Sequence, residues 1–190
     1  EYYEYLLAHH TTTSMSADEI HNLGLQELER IHGEMRIIFD ELGYPADESL
    51  GESFRKVEFA GGKLTGQNIQ DQYELLIENA SNELDSVFSS RPEQEIVVIG
   101  GEAGGFYIGG SLDGTRPGAF YASNVGEVSK FNMPTLAYHE GLPGHHLQIA
   151  LAQEVDLPTF RKVEIFNAYA EGWGLYAEKL AGELGWYRDD

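Results

Sequence analysis

No regular helix can run through residues 139–146. The stretch His139-Glu140-Gly141-Leu142-Pro143-Gly144-His145-His146 puts a proline four positions after its first histidine. The proline ring clashes with the His139 carbonyl and has no N–H to give it, while Gly144 accepts backbone angles that other residues resist. A bulge or kink between Leu142 and His145 is therefore predicted. The break decides which side chains meet. On a regular helix His145 is rotated by about 240° from His139 and displaced by roughly 9 Å, and His146 returns to the same face about 10 Å along the axis. Once two residues are absorbed, His145 takes the place of an i+4 partner. His146 would replace it only with a larger bulge, or would steady the site from behind.

Two imidazoles and a carboxylate are the side chains that suit Zn²⁺. The familiar H-E-x-x-H signature fails here because Pro143 fills the i+4 position, so the break must supply the second ligand. A second group follows at Glu171-Gly172-Trp173-Gly174-Leu175-Tyr176-Ala177-Glu178. A helix there, returning antiparallel, offers Glu171 as third ligand, and a catalytic zinc takes three protein ligands with a fourth position left for water. His139, His145 and Glu171 meet that need and leave Glu140 free as a base. Glu164 and Glu178 compete with Glu171. Glu178 lies seven positions on, nearly on the same face, and reads as an outer support or a surface ion pair. Gly172 and Gly174 allow close helix approach, which favours Glu171 as the inward residue. Tyr176 is a candidate donor to an oxyanion, and Arg116 a candidate partner for a substrate carboxylate; each has a structural reading as core residue or local ion pair. His9, His10, His21 and His32 have no ligand-like spacing.

The run from Pro134 through Gln148 resembles the bacterial domain-of-unknown-function family numbered 885. Thr11-Thr12-Thr13, the segment from Glu19 to Leu25, Asp113-Gly114-Thr115-Arg116-Pro117-Gly118 and Glu171-Gly172-Trp173 with Tyr176 and Glu178 extend the resemblance. It implies a relation to zincin metallopeptidases of the gluzincin type, with a Glu as third ligand. It also implies a longer parent, of which this is an internal piece without the later Arg, Asp and His, and relatives that are exported or lipid-anchored. The reading that follows is a zinc-dependent hydrolase, a metallopeptidase acting on peptides or related amides, with an extracytoplasmic setting. The alternatives are a non-catalytic fragment or binding module on the same scaffold, or an amidase or transferase acting on cell-envelope material.

With 190 residues and 42% hydrophobic content the chain can bury a core, and it reads as a single domain. Its 12 basic and 32 acidic residues give a net charge of −20, which repels phosphate backbones and anionic membranes and argues against nucleic acid as a partner. Cysteine is absent, so disulfides and thiolate ligands are excluded. No apolar run approaches the roughly 18 residues of a membrane span.

Periodicity predicts a mainly α (α+β) fold, helical over 1–92, with a small antiparallel sheet over 93–125 and a metal-binding helix pair over 130–185. An aromatic helix opens the chain, ending at a His9–Thr13 loop. Ser16 and Glu19 have capping-box spacing for a long helix with Ile20, Leu23, Leu28, Ile31, Met35, Ile38 and Leu42 inward, stopped by Gly43. Helices at 47–59 and 66–88 follow. Strands are expected at 95–99, 106–108 and 118–122, and the last is the candidate to hold an extended peptide by its edge. A helix over 134–154 and another over 159–184 close the chain.

Overall fold

Two serines start the first long elements. In the computed structural model, which describes residues 1–163 and 166–187, Ser16 caps α2 (Ala17–Glu41) and Ser49 caps α3 (Leu50–Gly61), each by a capping box. Glu19 and Glu52 answer the serine backbones, so two free N–H groups are satisfied at each helix start. With α1 (Tyr2–Thr11) these helices form one compact unit, Glu1–Gly62. The first helix runs through His9 and His10 to Thr11, so the expected loop begins later, at Thr12 in the left-handed region.

The expected inner stripe of α2 is not buried. Leu23, Leu28, Ile31, Ile38 and Leu42 are between 43% and 61% exposed, and Phe39 is the buried residue of the helix. Phe39 packs edge-on against Tyr44 and Phe54, where Arg36 also donates to the Glu48 carbonyl. The periodic pattern chose a face, but α3 packs on the C-terminal end of a 25-residue helix and covers little more.

The second unit, Lys63–Asp190, holds both sheets and the remaining helices. Residues spaced three and four apart on α4 (Gln67–Leu84) are buried: Ile69, Tyr73, Ile77, Ala80 and Leu84. That apolar face packs on α5 (Met133–Glu140) and on the sheet, with the Tyr73 ring edge-on to Phe120. A two-stranded antiparallel ribbon, β1 (Lys63–Thr65) with β5 (Glu127–Ser129), was not expected from sequence. Each strand has three residues, too few for a periodic signal.

The larger sheet has the order β2-β4-β3, with β2 (Ile96–Gly101), β3 (Phe106–Ile108) and β4 (Gly118–Ser123). It is mixed rather than antiparallel: β4 pairs parallel with β2 and antiparallel with β3. The most buried strand takes the centre, with Ala119, Phe120 and Ala122 packed on both faces. Gly104 makes the tight approach that this requires, because a Cβ there would stand 1.9 Å from the Ser123 nitrogen. The placement corrects the expected peptide-binding edge. With a neighbour on each side, β4 has no free edge to offer, whereas β3 is an edge strand.

After a 3₁₀ turn at Lys130–Asn132 come α5, α6 (His145–Glu154), α7 (Thr159–Val163) and α8 (Asn167–Glu183). The helix expected over 159–184 is thus two helices, since Phe166 is extended where α8 begins. No helix among the described residues is long and apolar enough to cross a membrane.

Candidate metal centre

The predicted distortion is a complete break. α5 ends at Glu140, Gly141 turns the chain at ψ −115°, Gly144 repeats the turn at ψ −129°, and α6 starts at His145. The His146 N–H bonds the Gly141 carbonyl at 3.2 Å, five residues back, so the intervening residues are looped out. Gly144 is obligatory: a Cβ there would lie 1.9 Å from the His139 carbonyl oxygen. From α8, the Trp173 indole N–H donates to the carbonyls of Pro143 (2.9 Å) and Gly144 (3.2 Å) and fastens the loop.

This break brings the imidazoles of His139 and His145 together, with ring centroids 4.7 Å apart and planes at 85°. Glu171 on α8 completes the group: its Oε2 lies 3.4 Å from His139 Nε2 and 3.9 Å from His145 Nε2. One ligand atom from each of the three lies within 4.8 Å of the others. Gly174 makes room for the first histidine, since a Cβ would meet its ring at 2.5 Å, whereas nothing lies within 4 Å of a Cβ at Gly172. Close approach of the helices therefore rests on Gly174 alone of the two. Glu164 lies outside the described residues.

Glu178 is not a surface ion pair. Its Oε1 is 2.7 Å from His139 Nδ1, so Nδ1 carries the proton and the lone pair of Nε2 faces Glu171 and His145. An outer carboxylate that fixes the tautomer of a histidine is the usual support of a metal ligand. Two imidazole nitrogens and a carboxylate oxygen, with such a support, are a donor set that can hold one zinc ion.

Glu140 stands beside this group, buried to 7% exposure. Burial pushes its carboxyl up to about 7; neighbouring His139 and the Tyr107 backbone N–H pull it down, and Glu171 pushes it up. For His145, burial lowers the imidazole's pKa and the neighbouring His139 adds to that, against Glu171 and Gln148. His146 points elsewhere. Its Nδ1 shares a 2.9 Å hydrogen bond with the Tyr107 hydroxyl, and burial pulls it down to about 4. Of the two sequence candidates, His145 joins the cluster.

Tyr107 is the residue that sequence reading missed. Its backbone reaches Glu140, its hydroxyl reaches His146, and Gly118 leaves the space its ring needs. An isolated tyrosine in a three-residue strand carries no spacing signal. Arg116 is held within its own loop, donating to the carbonyls of Gly109 and Pro117, and Asp113 is engaged by Ser111 and Thr115 rather than by Arg116. Tyr176 is half exposed and packs on the Trp173 ring. A cleft of about 770 Å³ between α4 and the residues leading into β2 lies behind His146 and not over the three convergent groups.

No curated protein matches the chain. A crystal structure of a candidate lipoprotein from Colwellia psychrerythraea is similar to it, with 31% identity and a TM-score of 0.89 over 98% of this chain. The chain spans 34% of that protein's length. The family model for a bacterial protein of unknown function, DUF885, matches residues 1–190, and the chain belongs to that family.

Proposed function

We propose that the protein is a zinc-dependent hydrolase of the zincin type, acting on peptides or related amides. One observation carries the reading: three residues predicted as ligands from a sequence with a broken helix converge on one point, with a buried carboxylate beside them. His139, His145 and Glu171 would hold the ion, and Glu178 would keep His139 in the tautomer that presents Nε2. Zinc bound there supplies a water activated near neutral pH and a polarising contact for the carbonyl under attack.

Glu140 serves as the base. Its environment favours the protonated acid more than water would, which suits a group that takes a proton from water and then delivers it to the leaving amine. Tyr107, the middle residue of β3, turns its backbone N–H toward that carboxylate and favours the charged form. As an edge strand next to Glu140, β3 is suited to align an extended peptide by backbone hydrogen bonds. The likeness to a candidate lipoprotein supports an extracytoplasmic, lipid-anchored setting for the protein.

The test is hydrolysis of a peptide mixture by the intact, zinc-restored protein and by its Glu140→Gln variant. Turnover is expected to fall by roughly 10²–10⁴-fold, the usual worth of a positioned acid–base group, while zinc content by elemental analysis stays at one ion. Equal turnover in the variant removes Glu140 from the mechanism, and an absence of zinc in the wild type removes the metal.

A further inference from the structure

His139 and His145 are not equally supported. The outer nitrogen of His139 is engaged by Glu178. Among the described residues the outer nitrogen of His145, Nδ1, is buried and completes no hydrogen bond, and the same is true of Oε1 of Gln148. The two residues are three apart on α6 and so share a helix face. Both free atoms are buried, one helical turn apart on α6. Buried polar atoms left without partners are costly and uncommon, and here a nitrogen able to donate and an oxygen able to accept share one face of α6.

The amide cannot simply face the other way. Gln148 Nε2 donates to the Tyr169 carbonyl at 3.1 Å, which leaves Oε1 as the free end. The ring of His145 is similarly constrained, because Nε2 faces Glu171. An ion on Nε2 requires the proton to sit on Nδ1, the atom next to Gln148.

We infer that Gln148 is the positioning residue for His145: Oε1 accepts its Nδ1–H, while Nε2 ties α6 to the turn of α8 that carries Glu171. One side chain would then orient two of the three ligands. The inference rests on the zinc reading above.

Zinc affinity, measured by competition with a chromogenic chelator, tests it in the intact wild type, Gln148→Leu and Gln148→Glu. Gln148→Leu is expected to bind zinc about 10–100-fold more weakly, as removal of an outer partner does. Gln148→Glu keeps the acceptor and restores most of the affinity, although it loses the donor to Tyr169. Wild-type affinity in Gln148→Leu overturns the inference, and so does an equal loss in both variants. A second measurement needs no variant: the zinc-loaded wild type should give a downfield, slowly exchanging Nδ1–H signal from His145, and its absence also overturns the assignment. If the wild type takes up no zinc, the proposed function falls and this inference with it; if it does and Gln148→Leu is unaffected, only the inference falls.

Discussion

Helix α2 and the α5–α6 pair invert the usual relation between pattern and burial. α2 has a capping box and an apolar stripe, yet its stripe is exposed and Phe39 is its buried residue. Neither α5 nor α6 has a side-chain cap, and the two are interrupted by Pro143, yet they bury Glu140, His145, His146 and Gln148 alongside apolar residues. α2 is shaped by local bonds that need no partner. The α5–α6 break is shaped by what surrounds it: α4 on one side, α8 with its Trp173 clasp on another. The segment that carries chemistry therefore depends on tertiary packing.

The largest effect expected from this contrast lies in matched truncations. Leu147 is 1% exposed in the core behind the two histidines, and Leu28 is 49% exposed on α2. Leu147→Ala should cost about 2–5 kcal/mol in chemical denaturation, through lost transfer energy and the cavity left behind. Leu28→Ala should stay within about 0.5 kcal/mol, as exposed substitutions do. Equal losses would break the comparison and mean that α2 is covered in solution.

A second pair sharpens it within a single helix. Gly174→Ala drives a methyl group into the His139 ring, so a penalty of about 1–3 kcal/mol is expected, together with loss of stoichiometric zinc. Gly172→Ala meets nothing within 4 Å on the same helix and should stabilise it by about 0.5–1 kcal/mol. Calorimetry and metal analysis on the two variants check both statements. Zinc retained by Gly174→Ala would mean that His139 does not need its observed seat.

These positions also mark how far the sequence could be read. The break at Pro143–Gly144, the meeting of His139 with His145, and Glu171 as the third group follow from local rules: proline ends a helix and ligands need a common point. In the sequence Glu178 stands between two roles because seven-residue spacing gives a face but no partner; the 2.7 Å contact to His139 needs the packing of α5 on α8. Tyr107, the central position of β4 and the exposure of the α2 stripe were not legible for one reason. Each depends on which element lies next to which, and short strands joined by glycine-rich loops do not encode their neighbours. The sequence offers Arg116 and Tyr176 on their chemistry and on the family resemblance, and the structure gives both ordinary local contacts.

The smallest test sets two carboxyls against each other in metal-free protein. Glu19, capping α2, is held below the usual carboxylate range by the Ser16 backbone N–H and then by its hydroxyl. Its contribution to stability is present above its unfolded value of 4.5 and is lost as pH falls through its lower folded value. Glu140 is raised to about 7, chiefly by burial, so its contribution has the opposite sign: fully present below 4.5 and lost as pH rises through about 7. Stability relative to Glu140→Gln should therefore decline between those values, by at most about 1.4 kcal/mol per pH unit. Stability relative to Glu19→Gln should instead rise with pH, at more acid values. Zinc places positive charge next to Glu140 and should flatten its tilt by favouring the carboxylate. Urea titrations across pH, with and without zinc, decide it: tilts of the same sign would mean that Glu140 is hydrated in solution and that the buried cluster differs less from the exposed helix than the structure indicates.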